Sequence, residues 1–284
     1  MILIPIAGVL AVVTGVYCIV HNKCLVVNRY EIAFDNLPKT FSGKKILHLS
    51  DLHKKTFGND YERLIKKSHA EKPDYIFFTG DLYSRTETEL EGKVRLMDRL
   101  RQIAPVYYII GNHELDHIER TEKLIRQLEP LGIHVLRNSK ARLFSGADYI
   151  DVYGVDFGLQ YFVNADGGYS HLPEVTEEHL HKLIGEADNS KFNILLAHTP
   201  FPFECYAKWG ADITFSGHCH GGVVRLPFIG GLLSPERKFF PKYSKGIYEK
   251  YENGRVRRML VSAGLGKFRV NNPAEIVVLT MKSS

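Results

Sequence analysis

Five apolar runs of strand length in this chain stop at residues whose side chains bind cations, and this pattern narrows the fold more than any other. Ile46–Leu49 leads to Asp51 and His53, and Tyr75–Thr79 leads to Gly80-Asp81. Val106–Ile110 leads to Gly111-Asn112-His113-Glu114, Phe192–Ala197 to His198, and Asp212–Phe215 to Gly217-His218-Cys219-His220. Continuous apolar runs of this length read as strands buried on both faces. Between them lie helical stretches at Tyr61–Glu71, Glu87–Gln102, Arg120–Leu131 and Val175–Ala187. Strand-helix alternation of this kind predicts an α/β architecture.

Shorter strands are expected around His134–Val135 and Tyr149–Gly154. Gly246–Tyr251, Val256–Ala263 and Glu275–Met281 read as closing strands of antiparallel type, with Asn253-Gly254 as the hairpin turn between the first two. Phe157–Pro173, rich in glycine and aromatics, reads as a loop over one face.

In an open α/β sheet, ligands bind in the crevice at the carboxyl ends of the strands. That is where Asp51, His53, Asp81, Asn112, His198, His218 and His220 would gather. Seven oxygen and nitrogen donors exceed what one transition metal needs, and with one carboxylate shared they suit two ions side by side. Side chains two residues apart on an extended chain point the same way, so Asp51 with His53, and His218 with His220, would each converge. Cys219 would then point away into packing. Gly80, Gly111 and Gly217 would supply the tight turn that aims the following ligand.

Composition is that of a globular enzyme, with 44% hydrophobic and 24% charged residues. The formal charge of +5 suits an anionic substrate or a membrane surface, and no basic, aromatic-interleaved stripe points to nucleic acid. Cys18, Cys24, Cys205 and Cys219 form no CxxC pair and no disulfide framework, which favours a reducing compartment.

Ile2–Val20 carries no charge, and its 19 residues would span about 28 Å as a helix. No basic residue precedes the run, so it reads as an uncleaved anchor and not a signal peptide. The basic residues Lys23, Arg29, Lys39, Lys44 and Lys45 all follow it, which places the domain on the cytoplasmic face of the cell membrane. The expected organisation is a transmembrane anchor over residues 1–22, a juxtamembrane linker and first strand over 23–43, and one domain over 44–284.

The strand-end blocks together resemble the five-block signature of the calcineurin-like metallophosphoesterases, in order and spacing, from about Lys44 to Met281. The resemblance implies a four-layer α/β/β/α sandwich of two mixed sheets. It implies one metal held by Asp51, His53 and His220, a second by Asn112, His198 and His218, and Asp81 bridging them. His113 would stand over the substrate phosphate as transition-state stabiliser or leaving-group acid. Two cations would neutralise the phosphoryl oxygens and activate a hydroxide for attack on phosphorus. Donors of this type, without thiolate, suit Mn, Fe, Co or Zn, with Mn the first choice.

Gly217–Gly222, Arg225-Leu226-Pro227, Gly264-Leu265-Gly266 and Arg269–Pro273 resemble a membrane-associated bacterial branch of that family. Its relatives include phosphodiesterases and UDP-diacylglucosamine pyrophosphatases. Val223 stands where that branch usually has Gln, so any polar substrate contact of that Gln is missing here. The expectation is a membrane-anchored hydrolase of phosphodiester or pyrophosphate bonds, with a lipid-linked nucleotide among the candidate substrates. A soluble phosphodiester or phosphomonoester hydrolase, or a metal-holding scaffold without turnover, are the alternatives. Arg225, Lys267 and Arg269 read equally as phosphate contacts or as solvated surface.

Overall fold

The computed structural model describes Tyr17 and residues 22–226, 228–266 and 269–284. Among the described residues no helix is long and apolar enough to cross a membrane. The expected anchor at Ile2–Val20 lies outside them, apart from Tyr17.

The strands, in chain order, are β1 (Leu25–Phe34), β2 (Lys45–Leu49), β3 (Tyr75–Thr79), β4 (Val106–Ile109), β5 (His134–Val135), β6 (Ser139–Ser145) and β7 (Asp148–Val155). They continue as β8 (Asn193–Ala197), β9 (Ile213–Ser216), β10 (Arg225–Leu226), β11 (Gly230–Gly231), β12 (Gly246–Glu252), β13 (Arg255–Val261) and β14 (Ala274–Ser283). Two mixed six-stranded sheets result, ordered β1-β14-β2-β3-β4-β5 and β12-β13-β9-β8-β7-β6, beside the small pair β10–β11.

The sheets lie face to face. Phe77, Ile46 and Ile109 from the first share one core with Phe215, Ile194 and Leu260 from the second. The outer face of the first sheet is covered by α1 (Glu62–Ala70), α2 (Glu91–Arg101) and α4 (Ile118–Leu128), with the single turn α3 (Asn112–Leu115) between α2 and α4. The outer face of the second is covered by α5 (Glu177–Ile184) and α6 (Phe203–Trp209). This is a four-layer α/β/β/α sandwich. Burial follows helical spacing: α4 turns Thr121, Leu124, Ile125 and Leu128 inward. Thr176 caps α5 by accepting the His179 N–H, and Gly185 at φ +72° ends it.

One expectation is corrected. β14 does not close the sheet of β12 and β13. It enters the other sheet, parallel to β1 and antiparallel to β2, where Val277 pairs with His48. Its burial explains the placement: Ile276 and Val278 pack under the helices while Val277 and Leu279 face the other sheet, so both sides need cover.

Candidate metal centre

The carboxyl ends of β2, β3, β4, β8 and β9 meet at one end of the sandwich, and the loops leaving them are stitched together by main-chain bonds. Asp51 N–H donates to Gly80 O at 3.0 Å, His53 N–H to Asp81 O at 3.1 Å, and Gly217 N–H to His198 O at 3.0 Å. The convergence of the ligands is not that of an extended chain, as the spacing suggested. Asp51, His53, Asp81, His218 and His220 all have left-handed backbones, with φ between 49° and 66°. Non-glycine residues rarely adopt this conformation, and such strain concentrates at functional sites. Cys219 is nevertheless fully buried, as expected of a packing residue.

The glycines act in two different ways. Gly80, at φ +85°, is a turn residue. Gly111 has an extended backbone at φ −110°, and Gly217 is outside the left-handed region. What excludes a side chain at these two is space. A Cβ on Gly111 would meet the Asp81 side chain and sit 2.6 Å from its nitrogen; one on Gly217 would run into Ser50 and the Asp51 carboxylate.

All seven residues singled out in the sequence come together. Asp51, His53, Asp81 and His220 offer ligand atoms within 4.8 Å of one another. His53 Nε2 lies 3.4 Å from His220 Nε2 and 3.7 Å from Asp81 Oδ2. On the other side of Asp81, its Oδ2 is 3.5 Å from His198 Nε2. Asn112 Oδ1 stands 3.1 Å from His198 Nε2 and 3.0 Å from His218 Nδ1.

The donor set suits cations, by an argument from lone pairs. His198 Nδ1 lies 2.7 Å from the carbonyl of Thr79, which can only accept, so Nδ1 carries the ring proton and Nε2 is bare. His218 Nε2 lies 3.1 Å from Glu236 Oε1 and by the same reasoning is protonated, leaving Nδ1 bare. Two bare ring nitrogens and one carbonyl oxygen therefore face each other at hydrogen-bond distance with no hydrogen among them. A shared cation makes that arrangement attractive; an Asn112 amide turned to donate from Nδ2 to both rings is the alternative without one. Burial opposes charge on His198, but the Asp81 and Asp51 carboxylates outweigh it and raise the ring to about 9. Burial opposes charge on Asp81 as well, yet His198, His113 and His53 hold it well below the usual carboxylate range. His53 and His220 go the other way, lowered by burial, the latter to about 4, so both present neutral rings.

His113 sits at the rim. Its Nδ1 accepts the main-chain N–H of Arg85 at 3.1 Å, so the neutral ring holds its proton on Nε2, 3.9 Å from Asp81 Oδ2. The Arg85 guanidinium is held by Asp116 at 3.0 Å. Phe162, Tyr169 and Pro235 complete the mouth.

Several supporting residues were not assigned from sequence. Glu114 is fully buried and accepts the N–H groups of Asp81, Leu82, Tyr83 and Gly111, tying the β3 and β4 loops together. Glu236 orients His218. Lys93, also buried, donates to the carbonyl of His53 and pairs with Glu87. Arg269 and Arg225 prove to brace the backbone: Arg269 donates to the carbonyls of Gly266 and His220, and Arg225 to that of Gly221. Lys267 lies outside the described residues. Glu114 alone had a sequence signal, its place beside the histidine of the third block.

The model of the family described as calcineurin-like phosphoesterase matches residues 44–222. An uncharacterized metallophosphoesterase of Campylobacter jejuni is 27% identical over 94% of the chain and 66% of its own length. One of Aquifex aeolicus is 27% identical over 96% of the chain and 98% of its own length. A third, of Bacillus subtilis, is 26% identical over 87% and 82%.

Proposed function

Because the chain belongs to the calcineurin-like phosphoesterase family and is a metal-dependent phosphoester hydrolase, we propose that it is a membrane-anchored, dinuclear enzyme cleaving phosphodiester or pyrophosphate bonds. Asp51, His53 and His220 would hold one ion, Asn112, His198 and His218 the other, and Asp81 would serve both. The observation that carries this reading is the position of Asp81, whose Oδ2 lies 3.7 Å from His53 Nε2 on one side and 3.5 Å from His198 Nε2 on the other. When bound, a pair of divalent cations such as Mn supplies Lewis-acid chemistry, neutralising phosphoryl oxygens and acidifying the attacking water.

The chain's own groups do the rest. His113, fixed by the Arg85 N–H as the tautomer protonated on Nε2, donates toward the phosphoryl or leaving-group oxygen. The Arg85 guanidinium, oriented by Asp116, attracts the substrate's charge at the mouth. Phe162, packed 5.3 Å from the His218 ring, makes one wall apolar. That wall and the uncharged Ile2–Val20 favour a lipid-linked substrate such as a nucleotide-diphosphate lipid, presented to a domain at 44–284 on the cytoplasmic face of the membrane. Residues 23–43 then supply the juxtamembrane linker and first strand.

The test is cleavage of bis-p-nitrophenyl phosphate by the full chain with added Mn, alongside turnover of UDP-diacylglucosamine and of simple nucleotides. We expect metal-dependent cleavage of the diester and faster turnover of the lipid nucleotide. Bound metal without cleavage would make the protein a scaffold. Equal turnover of soluble nucleotides would remove the lipid from the reading. His113→Ala is expected to keep its metal and lose rate by ~10²–10⁴.

A further inference from the structure

The described residues include ten exposed large hydrophobic side chains, and five of them fall within 226–240: Leu226, Phe228, Ile229, Phe239 and Phe240. Phe228 is wholly exposed and Phe239 70% exposed, far more than isolated surface aromatics need be. They belong to one small layer. Phe228 and Ile229 form the tip between β10 and β11, where Leu226 pairs with Gly230. The layer widens through Leu232, whose N–H donates to Val224 O and whose carbonyl accepts the N–H of Phe240.

The layer is rooted in the candidate metal centre. The His220–Gly222 turn leads into β10, Leu233 N–H returns to Gly222 O at 3.2 Å, and Glu236 reaches His218 from the same loop. Its opposite edge meets Tyr17 by way of Val270 and Asn271. Arg225 N–H donates to Val270 O, Asn271 Nδ2 to Arg225 O, and Tyr17 Oη to Asn271 Oδ1 at 2.9 Å. Tyr17, a residue of the uncharged N-terminal run, is thus joined through Asn271 to the β10 strand that leads into the apolar tip. On the flank, Arg237, whose guanidinium lies 5.8 Å from the centre of the Tyr169 ring, and Lys238 are exposed and make no ion pair with an acid among the described residues.

We propose that the β10–β11 tip and Phe239–Phe240 form a bilayer-contact surface that sets the mouth of the metal centre against an anionic membrane. Aromatic and aliphatic side chains would enter the boundary between headgroups and acyl chains, while Arg237 and Lys238 meet lipid phosphates. The position of Tyr17 favours a bilayer over a second copy of the chain as the occupant, because Tyr17 belongs to a run of membrane-spanning composition and meets this edge. The inference rests on reading Ile2–Val20 as an anchor.

The experiment uses the full chain, with Phe228→Trp and Phe239→Trp as probes and Phe144→Trp, exposed on the β6 edge, as control. Each is reconstituted into phosphatidylglycerol vesicles with and without brominated acyl chains, and folding is checked by far-UV circular dichroism. Bromine should quench the added emission at 228 and 239 by about twofold or more, as expected for rings several ångströms into the boundary, and leave that at 144 unchanged. Protein that floats with the vesicles but shows no selective quenching overturns the contact surface and leaves the anchor standing. Protein that fails to float overturns both. A concentration-dependent blue shift at 228 in lipid-free detergent, without quenching in vesicles, assigns the surface to a second copy and overturns the proposal.

Discussion

Glu236 Oε1 lies 3.1 Å from His218 Nε2, on the side of the ring away from Asn112. A carboxylate in that place does two things for a ligand histidine. It fixes the proton on Nε2, which leaves Nδ1 as the donor atom, and it raises the basicity of that atom. Ser234 Oγ holds the other carboxylate oxygen at 3.2 Å, so the carboxylate is itself oriented. Glu236→Ala should weaken binding of the ion held by His218 by roughly 10–100-fold. Titrating activity against free Mn checks this: the half-saturating concentration should rise while the rate at saturation largely recovers. An unchanged titration would make Glu236 a loop residue only.

Glu114 acts on the site through backbone. Its carboxylate is the acceptor for four main-chain N–H groups of the two loops that carry Asp81 and Asn112. Burial, with the nearby Asp81 charge, pushes its carboxyl up to about 7, a measure of how much the surroundings resist this charge and how firmly the amides must repay it. Glu114→Ala would leave all four donors buried without a partner and should cost at least about 3 kcal/mol of stability. Glu114→Gln should cost less, since one oxygen remains. Denaturant unfolding followed by emission of the buried Trp209 separates the two; equal stabilities would contradict the bracing role.

The strand ends were legible in the sequence because each follows a run too apolar to sit anywhere but inside a sheet. The common end of β2, β3 and β4, and that of β8 and β9, was legible too, since parallel strands in one sheet put their carboxyl ends together; that the two sets meet follows from the face-to-face packing of two sheets, which only the family resemblance implied. Three features were not. β6, Ser139–Ser145, has only Leu143 fully buried, so its sequence lacks the apolar alternation that marks a half-buried strand. α6, at seven residues behind Pro200 and Pro202, is too short to show a helical period. Glu236 sits in no strand or motif, and only the fold reveals that it reaches His218.

The glycine before the last histidine pair illustrates the difference between seeing a residue and seeing its reason. Gly217 was read as a turn residue, and φ does not require glycine there. Its neighbours do: a methyl group would press on Ser50 and on the Asp51 carboxylate. Gly217→Ala should therefore displace Asp51 and lower metal content, while the equivalent change at Gly132, which has open space around it but φ +82°, should affect stability alone. Elemental analysis of the two purified variants checks this. Full metal occupancy in Gly217→Ala would show that the Asp51 loop yields without cost.

His48 gives a pH prediction that depends on the core and not on the metal centre. The ring is fully buried between the sheets, edge-on to Phe215 at 5.3 Å, with Nε2 bonded to Thr79 Oγ1 at 2.8 Å. Burial lowers its pKa from 6.5 to about 3, so the native ring is neutral where the unfolded ring takes a proton. Between those two values the unfolded chain binds one more proton, and stability rises with pH. The contribution is complete above pH 6.5 and is lost as the pH falls toward 3, by about 1.4 kcal/mol per unit. His48→Gln keeps a hydrogen-bonding group for Thr79 and does not titrate. Its unfolding free energy, measured at saturating Mn between about pH 4.5 and 6.5, should fall less steeply on acidification by that slope. Parallel curves for the two proteins would mean that His48 takes up its proton in the folded state as readily as in the unfolded one, against the burial that surrounds it.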